Sequence, residues 1–132
     1  MFEIDVSMKR IELQDRTKKF ALRVLSLVDA LPNTIGGRVI ANQLARSATS
    51  VGANYRAPCR ARSRAEFASK LGTGAQEGDE SLYWLELIRD GKFVPEKKIS
   101  ALWLEPDQLT AVFTFGRRSA SSHQTSTIKP QT

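Results

Sequence analysis

The chain contains one cysteine and one histidine, Cys59 and His123. A single cysteine excludes an internal disulfide, and this is expected of a protein from a reducing compartment. One cysteine and one histidine also cannot supply the ligand cluster of a typical zinc site. Cys59 has no histidine partner in the predicted helices, and His123 lies close to the C-terminus. We therefore expect no catalytic residue, no bound metal, no cofactor and no enzymatic activity.

Long apolar runs are also missing. No uninterrupted apolar stretch approaches the roughly 20 residues that a membrane-spanning helix needs. The opening residues, MFEIDVSMKR, contain acids and lack the apolar region of a secretory signal. No phosphate-binding glycine loop and no nucleophile elbow occurs. We expect a cytoplasmic protein with no membrane partner and no small-molecule substrate.

Acidic residues are absent between Ala30 and Ala65. The same window contains six arginines: Arg38, Arg46, Arg56, Arg60, Arg62 and Arg64. The whole chain carries a formal net charge of +6, and such a charge attracts polyanions. The last four arginines cluster between two predicted helices, and the sequence predicts that they contact nucleic-acid phosphates. The alternatives are a solvated helix end or salt bridges to the acids of another subunit: Asp79, Glu80 and Glu86.

Strand alternation is not found, whereas helical spacing recurs along the chain. The predicted helices run from about Ser7 to Ala30, from about Gly37 towards Pro58, from Ser63 to Asp90, and from about Pro95 to Gly116. The last helix is expected to break at Pro106, because an interior proline lacks a hydrogen-bond donor and clashes with the preceding turn. Four helices of similar length with short links predict an all-α fold, an antiparallel up-down-up-down four-helix bundle.

Two signals mark the ends of the third helix. Ser63 and Glu66 have the spacing of a capping box, and Gly91 is expected to end the helix in the left-handed conformation. Gly72, Gly74 and Gly78 are unfavourable in a helix interior, so packing is expected to hold this part of the helix. Residues 1–116 are predicted to form the bundle, and residues 117–132 to form a disordered, basic, Ser/Thr-rich tail.

Two further groups of residues are candidates for structural roles. If the second and third helices form a hairpin, Arg46 lies level with Glu77 and Glu80, and the sequence predicts an intramolecular ion pair. The alternative is a set of solvated charges on separate faces. Tyr83 and Trp84 cannot both share the buried face of Leu82, so we predict that one projects into a subunit interface. The alternative there is a wide buried face.

The run QLARSATSVGANYRAPCRARSRAEFASKL, followed by ESLYWLELI, resembles the 23S rRNA intervening-sequence protein family. The resemblance is strong from Phe20 to Ile88, and weaker outside that range. It implies a small antiparallel four-helix bundle that assembles into a homopentamer. The family also resembles the accessory variability determinant of diversity-generating retroelements, a basic pentamer associated with nucleic acid. The partners implied are other copies of the chain and ribosomal or other structured RNA; the alternative is a homo-oligomeric scaffold that binds no nucleic acid.

Overall fold

The structure is a computed structural model that describes residues 2–56 and 62–128, with the side chains of 10–56 and 62–118. Every regular element in these ranges is helical, so the predicted all-α fold is confirmed. The α-helices are α1 (Phe2–Val28), α2 (Ile35–Arg56), α3 (Arg64–Asp90), α4 (Glu96–Ile99) and α5 (Leu104–Ile128). A 3-10 turn at Ser100–Leu102 connects α4 to α5, and these three pieces occupy the fourth position of the bundle.

Contacts between consecutive helices show how the chain turns back on itself. Across α2 and α3, the Ser47 hydroxyl meets Ser81, whereas Asn54, further along α2, lies beside Gly74, earlier in α3. Across α3 and α5, Gly72 meets Arg117 and Gly78 meets Thr110. Both pairs therefore run antiparallel, and this is compatible with the predicted up-down-up-down order.

The core is built from the apolar stripes of the four long helices. The α2 stripe is buried along its whole length, at Ile40, Leu44, Ala48, Val51 and Tyr55. The other helices contribute buried side chains that include Phe20, Val24, Leu71, Leu85, Ile88, Leu109 and Phe113. The rings of Tyr55 and Phe113 stack with centroids 5.3 Å apart. Burial of these apolar surfaces supplies the main driving force for the fold.

Two glycines of α3 permit close packing against α5. A Cβ atom at Gly74 would lie 2.6 Å from the Phe113 ring, and one at Gly78 would lie 2.3 Å from the Thr110 hydroxyl oxygen. Both glycines are buried and are one helical turn apart. The missing side chains let the two helices approach, so packing offsets the poor helix propensity of glycine.

The end of α3 differs from the sequence prediction. Gly91 has a φ of −81°, so the expected left-handed glycine is wrong, and Lys92 takes the left-handed conformation with a φ of 55°. Lys92 N donates to Arg89 O, and Phe93 N donates to Ile88 O. These two bonds form a Schellman motif with Lys92 at its left-handed position. Gly91 is instead confined by space, because its Cβ would lie 2.6 Å from the Phe93 ring.

The predicted break at Pro106 is also wrong, because the helical pieces meet three residues earlier. Trp103 separates the 3-10 turn from α5, and the Arg89 guanidinium lies 3.9 Å from the centre of its ring. Pro106 is buried in the first turn of α5. Amide groups in a first helical turn have no intrahelical acceptor, so a proline there sacrifices no hydrogen bond.

The N-terminal ends of two helices show how side chains set their boundaries. The Ser63 hydroxyl accepts from the Glu66 amide at 3.1 Å, so α3 begins at the predicted cap. α2 begins two residues before the predicted Gly37, because the Thr34 hydroxyl accepts from the Gly37 amide at 3.1 Å.

Both terminal helices extend beyond the bounds that the sequence predicts. α1 starts at Phe2, before the predicted Ser7, and the backbone of α5 continues past Gly116 to Ile128. The domain boundary at 116 and the disorder of 117–132 stay predictions. Pro58 and Cys59 lie outside the described residues.

Candidate functional site

Three of the four clustered arginines lie at the end of the α2–α3 hairpin. Arg56 is the last residue of α2, and Arg62 and Arg64 flank the cap of α3. All three are exposed, and none forms an ion pair with another described residue. Arg60 lies outside the described residues. The hairpin end therefore carries three exposed arginines that are not ion-paired with any described acid, Glu66 in the first turn of α3 included.

Arg56 also lines a groove between α1 and α2. The groove has a volume of about 250 Å³, and Lys18 of α1 contributes a second cation to its lining. Thr17 and Gly52 lie at the helix contact beneath it, where a Cβ at Gly52 would lie 3.3 Å from the Thr17 hydroxyl oxygen. Neither Lys18 nor Arg56 has an acid partner among the described residues. Lys18 thus extends the basic surface from the hairpin end onto α1, a contribution that the sequence analysis missed.

Arg46 occupies a different environment on α2. Its Nη1 lies 3.2 Å from Glu77 Oε1 and its Nη2 lies 2.6 Å from Glu80 Oε1, so one guanidinium bridges two acids of α3. The Arg46 side chain is 48% exposed, whereas those of Glu77 and Glu80 are 18% and 34% exposed. The structure thus brings together the three residues of the predicted ion pair, and it places them at the surface rather than in the core.

Trp84 and Arg46 both hold the Glu80 carboxylate. Trp84 Nε1 donates to Glu80 Oε1 at 3.3 Å. The hydrogen bond from Arg46 lowers the pKa of Glu80, the bond from Trp84 adds to this, and partial burial opposes it. The hydrogen bonds that Arg46 donates to Glu80 and, second, to Glu77 raise the pKa of Arg46. Glu80 is therefore occupied within the chain, which weakens the alternative in which it pairs with another subunit's arginine.

Two contacts between helices were not predicted from the sequence. The buried hydroxyl oxygens of Ser81 and Ser47 lie 2.9 Å apart and form a hydrogen bond between α2 and α3. Each hydroxyl also lies within hydrogen-bond distance of a carbonyl oxygen of its own helix, Glu77 O and Leu44 O. Arg16 of α1 pairs with Glu105 and also donates to Gln108 at 3.2 Å, which connects α1 to α5. The Ser47–Ser81 contact could have been predicted from the sequence, because each serine directly follows a residue of the predicted Arg46–Glu80 pair.

Tyr83 and Trp84 differ in exposure, because adjacent residues on a helix point in different directions. Tyr83 is 52% exposed and Trp84 is half-buried against the core. Their rings meet edge to face with centroids 5.1 Å apart. Large exposed apolar side chains also occur on other helices, among them Ile11, Leu22, Ile35, Val39, Leu104 and Phe115. Tyr83 is thus available for contact with another molecule, whereas Trp84 mainly supports Tyr83 and Glu80.

The part of the chain that the structure describes lacks a metal-binding cluster and a membrane-spanning helix. No group of three or more His, Cys, Asp or Glu side chains there is arranged to hold a metal ion. No described helix is both long and apolar enough to cross a membrane. His123 lies in α5, and its side chain lies outside the described range. The arginine surface and the Arg46 cluster therefore remain the main candidates for a functional site.

Comparison with known proteins agrees with this architecture. Residues 9–114 match the model of the family described as 23S rRNA-intervening sequence protein. A crystal structure of a protein with unknown function, from the S23 ribosomal protein family of Bacteroides thetaiotaomicron VPI-5482, is 31% identical in sequence. Its TM-score is 0.71, over 76% of this chain and 94% of that chain. No curated protein matches the sequence. The chain belongs to the 23S rRNA-intervening sequence protein family.

Proposed function

We propose that the protein is a non-enzymatic RNA-binding bundle that acts as a homo-oligomer. The observation that carries this proposal is the exposed basic surface at the α2–α3 end, where Arg56, Arg62 and Arg64 have no acid partner among the described residues. Arg60 belongs to the same cluster in the sequence and lies outside the described residues. The bound partner is ribosomal or another structured RNA, contacted through its phosphates.

Arginine suits this role because its planar guanidinium can bond two phosphate oxygens at once. Arg46 provides a contrast within the same helix, since its guanidinium already bridges Glu77 and Glu80. An RNA phosphate would have to compete with those acids for Arg46, but it meets no such competition at Arg56. Recognition of this kind fixes the position of the RNA backbone without reading its sequence.

Self-association would multiply this surface. A single bundle offers only a few phosphate contacts, whereas a ring of five copies, the assembly that the family resemblance implies, repeats them around one axis. Multiple linked contacts raise the overall affinity without any new type of interaction. The half-exposed Tyr83, with Trp84 behind it, is the proposed subunit contact, because aromatic residues are enriched at such interfaces.

The RNA-binding proposal is tested by measuring affinity for a structured RNA at several salt concentrations. One variant replaces Arg56, Arg60, Arg62 and Arg64 with glutamine. A matched control removes the same charge at the opposite end of the bundle, at Arg38, Lys92, Lys97 and Lys98. Each lost phosphate contact lowers the slope of log affinity against log salt by about 0.7–0.9, so the arginine variant should lose a slope of roughly 3 per chain. Equal slopes for both variants would remove the arginine surface from consideration.

The second candidate function is a homo-oligomeric protein-interaction scaffold without nucleic-acid binding. The exposed apolar side chains favour it, notably Phe115 at 76% exposed and Leu104 at 62% exposed. Light scattering gives the mass of the assembly, and a monomeric mass would contradict both candidates. An oligomer that does not bind RNA would favour the scaffold. Tyr83→Ser should reduce the mass, whereas Tyr83→Phe should leave it unchanged.

A further inference from the structure

A second basic cavity lies on the side of α1 that faces α4 and the 3-10 turn. Its volume is about 310 Å³, and its lining includes Arg23 and Ser26 of α1 and Lys98 of α4. The remaining lining residues are Leu27, Ala30 and Leu102. This cavity shares no residue with the groove that Arg56 lines. It is therefore a candidate site separate from the one that Arg56 lines.

The charge of this cavity is not compensated. No acid lines it, and neither Arg23 nor Lys98 forms an ion pair with a described residue. Two other cations of α1 are paired, since Arg16 pairs with Glu105 and Lys19 lies 2.9 Å from Asp15. Two unpaired cations brought from different elements into one cavity repel each other, and a bound anion would relieve this repulsion.

The floor of the cavity is apolar. Leu27 and Leu102 are 5% and 3% exposed, so their side chains belong to the core beneath the two cations. Ser26 adds a hydroxyl group that can donate a hydrogen bond. The volume falls at the lower end of the range of about 300–1,000 Å³ that small-molecule sites occupy. The lining therefore combines anion-binding groups with room and apolar contact for a small organic moiety.

We infer that the Arg23–Lys98 cavity binds the phosphate group of a small phosphomonoester. A phosphomonoester carries close to two negative charges at neutral pH, which matches the two cations of the lining. The guanidinium of Arg23 can bond two phosphate oxygens, Lys98 adds a mobile point charge, and the organic group rests on Leu27 and Leu102. This site is independent of the proposed RNA surface, because none of its residues belongs to that surface.

The test is calorimetric titration of the full chain with adenosine monophosphate, adenosine and inorganic phosphate. We expect saturable binding of the nucleotide, weaker binding of inorganic phosphate, and none of adenosine. Arg23→Gln and Lys98→Gln should each weaken nucleotide binding about tenfold, as expected for the loss of a charge-assisted hydrogen bond. Lys97→Gln is the matched control, because this exposed neighbour in α4 does not line the cavity. It should leave binding unchanged.

Three outcomes would overturn the inference. The first is that the wild-type chain does not bind the nucleotide saturably. The second is that the Arg23→Gln and Lys98→Gln variants both bind the nucleotide as tightly as the wild type. The third is that Lys97→Gln loses as much affinity for the nucleotide as those two variants. Salt-dependent RNA binding measured on the Arg23 and Lys98 variants should match the wild type. A wild-type chain that binds the nucleotide but does not bind RNA would instead count only against the proposed function.

Discussion

Arg46 Nη2 lies 2.6 Å from Glu80 Oε1, and this contact fastens the middle of α2 to the middle of α3. Glu77 and Trp84 complete the arrangement, so that one arginine and one indole hold two carboxylates. This contact gives Arg46 a different role from the other arginines of the acid-free window between Ala30 and Ala65. Arg46 stabilises the hairpin, and the arginines at the hairpin end keep their charge available for a ligand.

The Glu80 contact predicts a pH dependence of stability. The pKa of Glu80 is lower in the folded chain than its ordinary value of 4.5, chiefly because of the Arg46 hydrogen bond. Its contribution to the free energy of unfolding is therefore complete above that ordinary value, and it is lost as the pH falls through the lowered folded pKa. Urea unfolding of the wild type and of Glu80→Gln, from neutral pH to about pH 3, should show the difference between them shrinking only at the acid end. A difference that stays constant over this range would contradict the prediction.

Gly74 is predicted to be essential for the contact between α3 and α5. Gly74→Ala places a Cβ 2.6 Å from the Phe113 ring, and overpacking of this kind typically costs about 1–3 kcal/mol. Gly36→Ala is the control, because its Cβ would meet nothing within 4 Å, and better helix propensity should add up to about 1 kcal/mol there. The free energies of unfolding in urea measure both effects. If Gly74→Ala raised the free energy of unfolding as much as Gly36→Ala, then α3 and α5 would not be in close contact at Gly74.

Lys92 is predicted to hold a strained position at the end of α3. Its φ of 55° costs a residue with a side chain about 1–2 kcal/mol, a cost that glycine largely avoids. Lys92→Gly should therefore raise the free energy of unfolding by about 1 kcal/mol. Lys97→Gly removes the same charge from within α4 and should instead lose up to about 1 kcal/mol. Thermal unfolding of the pair measures the contrast, and a loss of stability in Lys92→Gly would refute it.

Thr110 and Thr17 should respond in opposite ways to the same substitution. The Thr110 hydroxyl is buried and has no hydrogen-bond partner among the described residues, whereas the Thr17 hydroxyl donates to Gln14 O at 2.9 Å. Valine has nearly the same shape as threonine. Thr110→Val should stabilise the fold by about 1 kcal/mol because it removes an unsatisfied polar group, and Thr17→Val should cost about 1 kcal/mol. Chemical denaturation of both variants tests the sign of each change.

Much of the fold could be predicted from helical periodicity. The stripe from Ile40 to Tyr55 is buried as its spacing of three and four predicts, and the Ser63 cap begins α3. These features are local, because one helical turn fixes which side chains share a face. The register of Arg46 against Glu77 and Glu80 also followed from the sequence, since a short connection leaves a hairpin little freedom.

Predictions that depended on a single residue type were less successful. Gly91 and Pro106 were interpreted from their intrinsic preferences, but the chain places the left-handed residue at Lys92 and the helix break at Trp103. Both positions lie where α3, α4 and α5 meet. There the Phe93 ring packs against Gly91 and the Trp103 ring packs against Arg89, and tertiary packing can override local preference.

The sequence by itself determined the number of long helices, their buried faces and the acid-free arginine window, because each is a property of neighbours along the chain. Only the tertiary structure decided that the α3 glycines are sites of close contact with α5, and that Arg16 connects α1 to α5. It also brought Arg23 and Lys98 into one acid-free cavity. These residues are far apart in sequence, and their proximity depends on how the helices pack, which periodicity within one helix does not specify.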